Sequence, residues 1–313
     1  MLRIAAAIVT VAMIAMLLRS LRRDGPAALA VWRTVDVGWP WVALAIVCAL
    51  TGHAIYVLGW RRILADLGIP VSLWGLARMF LVSNLGRYLP GGKAWQMAIV
   101  AVMATEQALP PTMVAASSLF QGVVGMGVGA VVLFATGGAI IGLPSWWLVL
   151  PVAGIAVLLS LPALVRSLPR LHALAARHVH GIESITIRTM WALVWTSATS
   201  WILWGIALYA LARGLLPNPG TSVNAYIAAW TGSFLAGLIA VVSPAGLGAR
   251  EEMMQAVLTR AGMIAGDALV VVIVARVWVT LLDLVPALAV LAWRRKRPRD
   301  AVSGTDSTPP SPR

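Results

Sequence analysis

Between Trp41 and Trp60 the chain carries no Asp, Glu, Lys or Arg. As an α-helix this interval is about 28 Å long, close to the thickness of a hydrocarbon core, with a tryptophan at each end where interfacial anchors sit. Further apolar segments of spanning length lie at 1–18, 112–136, 146–165, 189–211 and 268–293. Hydrophobic residues make up 60% of the chain and charged residues 11%, so its surface helices lack the polar faces that a soluble fold requires. The reading is an all-α polytopic membrane protein with about six full spans. Segment 1–18 is followed by Arg19, Arg22 and Arg23 without a small-residue cleavage site before them, which reads as an uncleaved signal anchor.

Two stretches break this pattern. GRYLPGGKAWQ (86–96) sets Arg87 and Lys93 around a Pro90-Gly91-Gly92 turn, between apolar segments at 73–85 and 94–104. Each segment is too short to span, so together they predict a re-entrant helical hairpin with its tip at the turn. VSPAGLGAREE (242–252) repeats the design: segment 226–242, a turn at Pro244-Ala245-Gly246, and a charged limb to about Thr259. A span, hairpin, span unit then occurs twice. With one additional span between the copies, the second is inverted relative to the first, an arrangement in which two broken elements form one site reachable from either face. Segment 226–242 could instead span, but the C-terminus would then lie outside.

Charge gives the orientation. The net charge of +13 is grouped at segment ends, which suits the cytoplasmic leaflet and argues against nucleic acid as a partner. With both termini cytoplasmic, fifteen lysines and arginines face the cytoplasm against seven outside. The first loop, with four arginines outside, is the exception. The expected organisation is an anchor helix and loop at 1–39, a helical membrane domain at 40–293, and a basic, disordered cytoplasmic tail at 294–313.

The turns suggest anion binding. Each outgoing limb, starting near Gly92 and Gly248, presents backbone N–H groups and the positive end of a helix dipole. Arg87 and Lys93 at the first tip and Arg250 at the second add charges suited to phosphate. Snorkelling of Arg87 and Lys93, or an internal pair of Arg250 with Glu251, would account for the same residues without a ligand. Arg276 and Asp283 are seven apart, hence on one helical face, and should point into the bundle because neither can face lipid cheaply. For Arg276, pairing with a hairpin is the leading expectation and substrate contact the second. His53 is expected to hydrogen-bond to a neighbouring helix. The Gly125-x-x-x-Gly129 pair should serve internal packing. Cys48 is the only cysteine, so neither an intrachain disulfide nor a thiolate metal cluster can form. His172, His178 and His180 lack accompanying ligands. No metal, cofactor, nucleotide loop or nucleophile with its base is expected.

At the two hairpin motifs, and at WRRILADLG (60–68), the chain resembles the lysylphosphatidylglycerol synthase transmembrane-region family of flippase-like membrane proteins. The resemblance covers 42–293 and implies a helical bundle with re-entrant segments. Members include the membrane half of enzymes that aminoacylate phosphatidylglycerol, and stand-alone proteins linked to lipid-carried sugars. A soluble aminoacyl-transfer domain is not expected after the last span, so the translocation role, and not synthesis, is what the resemblance implies. The expected function is translocation, across the inner membrane, of a phospholipid or polyprenyl-phosphate-linked lipid with an anionic head group. The expected substrate contacts are Arg87, Pro90, Gly91, Gly92, Lys93, Pro244, Gly246, Gly248, Arg250, Glu251 and Arg276. The alternative is a non-transporting membrane subunit that docks a glycosyltransferase or lipid-modifying enzyme.

Overall fold

The computed structural model describes residues 36–89, 92–167, 184–239, 246 and 248–295, besides 26 and 30. The segment at 1–18, the histidines of the 168–183 connection and the C-terminal tail lie outside the described residues, as do Pro90, Gly91 and Pro244. In chain order the helices are α1 (Trp39–Asp66), α2 (Leu73–Ser83), α3 (Gly92–Thr105), α4 (Pro111–Gly137), α5 (Val149–Ser167), α6 (Ile187–Leu215), α7 (Val223–Ile239), α8 (Ala249–Arg260) and α9 (Ala265–Arg295). Short 3₁₀ turns occupy Asn84–Tyr88 and Ser145–Leu148.

The starts of these helices follow from local chemistry. Proline enters the first turn of α1 and of α4, where its missing N–H costs nothing. Ser72 caps α2 by accepting from the Gly75 N–H at 3.0 Å, and Thr186 caps α6 by accepting from the Thr189 N–H at 3.2 Å.

α1 and α6 form an antiparallel pair along their whole length. At one end the Gly38 N–H donates to the Gly214 carbonyl at 2.8 Å. At the other, the Asp66 carboxylate accepts from the Thr186 N–H at 2.8 Å and from its hydroxyl at 3.0 Å. The helices approach closely at Gly59, where a Cβ would come within 2.5 Å of the Thr196 hydroxyl. α4 lies against both. Trp60 Nε1 donates to Ser117 Oγ at 2.8 Å, and Gln121 donates to the Tyr56 carbonyl at 2.6 Å. Trp201 of α6 lays its ring on Gly129 and donates from Nε1 to the Gly125 carbonyl at 2.8 Å. The glycine pair therefore serves packing within the chain.

Two helical hairpins enter this frame from opposite ends. α2 and α3 fold back on each other and open at the Asp66 end, where Arg78 meets Glu106 at 3.3 Å. α7 starts at the Gly38 end, runs antiparallel to α6 and turns back into α8. Its open end is tied by Thr221 Oγ1, which donates to the Ala261 carbonyl at 3.1 Å. Each end of the bundle has its own core. Ala45, Ala49, Leu211, Tyr226, Leu258 and Val271 pack at the Gly38 end, and Ile63, Leu64, Leu76, Met79, Leu193 and Val290 at the Asp66 end. α9 belongs to both and so runs the full depth, passing each hairpin.

The fold is that of an all-α polytopic membrane protein. α1, α4, α6 and α9 are each long and apolar enough to cross a membrane, and α5 adds a helix of 19 residues. The outer face carries exposed apolar side chains such as Trp195, Val157, Val277 and Leu281, a surface suited to lipid rather than water. A Gly129→Val substitution should force Trp201 off α4, because even a Cβ would sit 2.9 Å from its ring. Overpacking of this kind costs about 1–3 kcal/mol. The expected result is a lower unfolding midpoint in detergent, while an unchanged midpoint would refute the contact.

Candidate functional site

The first tip is held by backbone contact. A Cβ at Gly86 would lie 2.6 Å from the Gln96 amide nitrogen, and one at Gly92 would lie 2.7 Å from the Arg87 carbonyl. Only glycine permits this approach of the 3₁₀ turn to the first turn of α3. Gln96 then donates to Asn84 Oδ1 at 2.9 Å and accepts from Lys93 Nζ at 3.1 Å, with Lys93 itself exposed. So secured, the turn projects Arg87 and Tyr88 onto α9. Tyr88 donates to Asp283 Oδ2 at 2.8 Å, and Arg87 Nη1 lies 3.4 Å from the same oxygen.

The second tip uses the same device. Gly246 and Gly248 have φ of +67° and +88°, values that side-chain-bearing residues rarely adopt. A Cβ on Gly246 would fall 2.6 Å from Gly237 Cα, so α7 and α8 meet through paired glycines, with the Arg250 stem packed against them. The Arg250 guanidinium lies over the Phe234 ring at 4.8 Å and the Trp230 ring at 5.6 Å. Glu251 folds back to accept from the Gly248 N–H at 2.6 Å, and its other oxygen lies 3.4 Å from Arg276 Nε. Two expectations are corrected here. The Gly248 N–H is not free for a ligand, because a glutamate at the third helical position reaches it first. Glu251 pairs with Arg276 on α9 and leaves Arg250 to the aromatic rings.

The two tips meet. Phe234 lies beneath Arg250 and also beneath Arg87, whose guanidinium is 5.9 Å from the ring centre. α9 addresses both through residues two helical turns apart: Arg276 holds the second hairpin and Asp283 the first. Behind them stands an aromatic wall. Trp204 stacks on Trp230 at 4.6 Å, Trp278 meets Trp204 edge-on at 5.7 Å, and His53 packs against Phe80 and Trp204. His53 Nδ1 has no hydrogen-bond partner among the described residues, contrary to the bond expected for it.

A void of about 20 Å³ lies among Trp230, Arg250, Glu251, Met254 and Arg276, room for about one water. A larger recess of about 550 Å³ opens at the Asp66 end, lined by Arg61, Ala65 and residues 68–72. It has one charged side chain, whereas the central void adjoins three. Among the described residues no group of His, Cys, Asp or Glu could hold a metal ion.

A family model for the lysylphosphatidylglycerol synthase TM region matches residues 3–287. The chain belongs to this family. A comparison with curated proteins found no match. The match takes in both hairpins and α9 as far as residue 287.

Sequence reasoning did not assign Tyr88, Phe234, Gly237 or Asp283 to the site. Asp283 carried a signal, a carboxylate two turns from Arg276 on the same helical face, but Phe234 and Gly237 sit in an apolar helix with nothing to distinguish them. Removing Asp283 by substitution to Ala should leave Arg87 without its counter-charge. Breaking a buried pair this way costs about 3–5 kcal/mol, and Arg87→Ala in the same chain should recover part of the loss. Detergent unfolding of the single and double variants checks this; additive losses would mean the pair does not form.

Proposed function

We propose that this protein translocates a lipid with a phosphate-bearing head group across the bacterial inner membrane, and that it does so without covalent chemistry. The observation that carries the reading is the convergence of two hairpin tips, entering from opposite ends, on one helix with Arg87, Arg250 and Arg276 around the junction. Guanidinium groups at this depth are costly, and a bundle that keeps three of them suggests an anion in its working cycle.

In this reading the head group meets Arg250 and Arg87, with Arg276 and Glu251 setting the second tip and Lys93 guiding entry from the exposed face of α3. Gly92, Gly246 and Gly248 shape the turns that bring backbone close to the ligand. Because Asp283 already engages Arg87, the phosphate must compete with it. Rocking of one hairpin against the other would then expose the junction to alternate faces. Both termini are assigned to the cytoplasm by the distribution of lysine and arginine.

The test is translocation of fluorescent head-group-labelled phospholipid in proteoliposomes. Loss of one charge-assisted contact is worth about 1.5–3 kcal/mol, so Arg87→Ala and Arg250→Ala should each slow transfer by about tenfold or more. Folded variants that match the parent would overturn the assignment. Orientation is tested separately in a Cys48→Ser background. Ala108→Cys should react with an impermeant thiol reagent from the cytoplasmic side and Asn218→Cys from the outer side. Labelling of both from one side would overturn the opposed arrangement.

A further inference from the structure

His53, the one histidine among the described residues, is connected to both hairpin tips. Toward the first tip its ring packs on Phe80 at 5.1 Å, and Arg87 and Asp283 lie within electrostatic reach. Toward the second it packs on Trp204 at 4.9 Å. Trp204 stacks on Trp230 at 4.6 Å, and the Arg250 guanidinium lies over Trp230 at 5.6 Å, so a row of rings leads from the imidazole to Arg250. His53 Nδ1 is buried without a hydrogen-bond partner among the described residues, while the residue as a whole is half-buried. A buried polar group is ordinarily fixed by a hydrogen bond, but this ring is fixed by two edge-on aromatic contacts, at interplanar angles of 72° and 65°. Such contacts suit either protonation state, because a neutral ring packs by its quadrupole and aromatic faces also hold a cation.

The ionisable groups around the ring are Tyr56 on α1, Arg87 and Tyr88 of the first tip, Asp283 of α9 and, beyond Arg87, Lys93 of α3. α2 and α6 present Phe80 and Trp204 to it, and α4, which also packs on α1, contains no ionisable residue. Taken together the two tips and α9 carry four cations, Arg87, Lys93, Arg250 and Arg276, against three carboxylates, Glu251, Glu252 and Asp283. The neutral imidazole is the form that this excess of positive charge accommodates, since a buried charge needs an opposite partner. An anion at the junction offsets the excess and makes room for one proton.

We infer that His53 is a proton-binding site linked to the junction. As an anionic head group settles between the tips, the imidazole takes one proton from the aqueous phase, so that anion and proton cross together and a proton gradient drives the transfer. The inference rests on the lipid-translocation reading and supplies its energy source. Histidine is the side chain suited to the task, because its ordinary titration lies near neutral pH. Linkage makes the effect reciprocal: the proton must strengthen anion binding by the same factor as the anion strengthens proton binding.

The test uses the purified full-length protein and short-chain phosphatidylglycerol, whose phosphodiester keeps its charge throughout the range. Calorimetric binding in buffers of different ionisation enthalpy counts the protons exchanged. The expected result is proton uptake on binding near pH 7, with affinity about fivefold or more tighter at pH 6 than at pH 8, both lost in His53→Gln. Absence of uptake in the parent, or uptake that persists in His53→Gln, overturns the inference. Should that variant fail to fold, a His172→Gln, His178→Gln, His180→Gln protein retains His53 as its single histidine. The imidazole nitrogen NMR signals should then move toward those of imidazolium when the lipid is added at pH 7, and unmoved signals likewise count against the site. In proteoliposomes, labelled phospholipid should cross faster down an imposed proton gradient than without one. Transfer indifferent to the gradient overturns the inference and leaves the lipid-translocation reading intact, whereas proton uptake on binding without transfer upholds the site and removes the transport function.

Discussion

Everything at the centre of this bundle depends on α9 carrying one basic and one acidic residue two turns apart, each paired with a different hairpin. Charges buried in a lipid-embedded fold are tolerated only when paired and directed inward. Neither hairpin can satisfy the charge at its tip. Arg87 has no acidic neighbour within its turn, and Glu251 sits beside an arginine that faces rings instead. Each tip is thus completed by α9, the first through a residue far away in sequence and the second through the helix that follows it, which ties the two halves of the chain to a single spanning helix.

The tips reach that helix because of glycine. Helical hairpins usually separate their limbs by the width of two side chains, but Gly86 against Gln96 and Gly237 against Gly246 bring backbone onto backbone. The gain is precision: a 3₁₀ turn or a positive-φ corner seated this way has little freedom to move its arginine. The polar cost is met locally, by Gln96 bonding Asn84 at the first tip and by Glu251 capping Gly248 at the second. Both corners solve the same problem with different chemistry, an amide network in one and a folded-back carboxylate in the other.

Much of this was legible in the chain. The shortness of segments 73–85 and 94–104, too brief to span and joined by a glycine turn, foretold the first hairpin, and the heptad spacing of Arg276 and Asp283 foretold a shared inward face. What sequence could not supply was the partner of each charge. Arg250 and Glu251 are adjacent, yet consecutive helical residues point about 100° apart, so one reaches α9 and the other reaches α7. Phe234 and Trp230, four apart on α7, form the platform for Arg250, but among so many apolar residues nothing in the order of the chain separates a platform from a lipid-facing side.

The choice of rings over a carboxylate beneath Arg250 has a physical consequence for any anion that reaches the junction. A carboxylate partner must be displaced before a phosphate can bind, and the exchange of one charge-assisted contact for another yields little net free energy. Rings hold the guanidinium in place without occupying its N–H donors, so under the proposed function a phosphate would meet Arg250 without first breaking an ion pair. Arg87 is in the opposite condition, since it and the Tyr88 hydroxyl already share Asp283 Oδ2. The two arginines, alike in sequence context, are therefore unequal. Under the proposed function Arg250 would receive the anion first, and Arg87 would join as its hold on α9 loosens, so occupation of one tip would bear on the anchoring of the other.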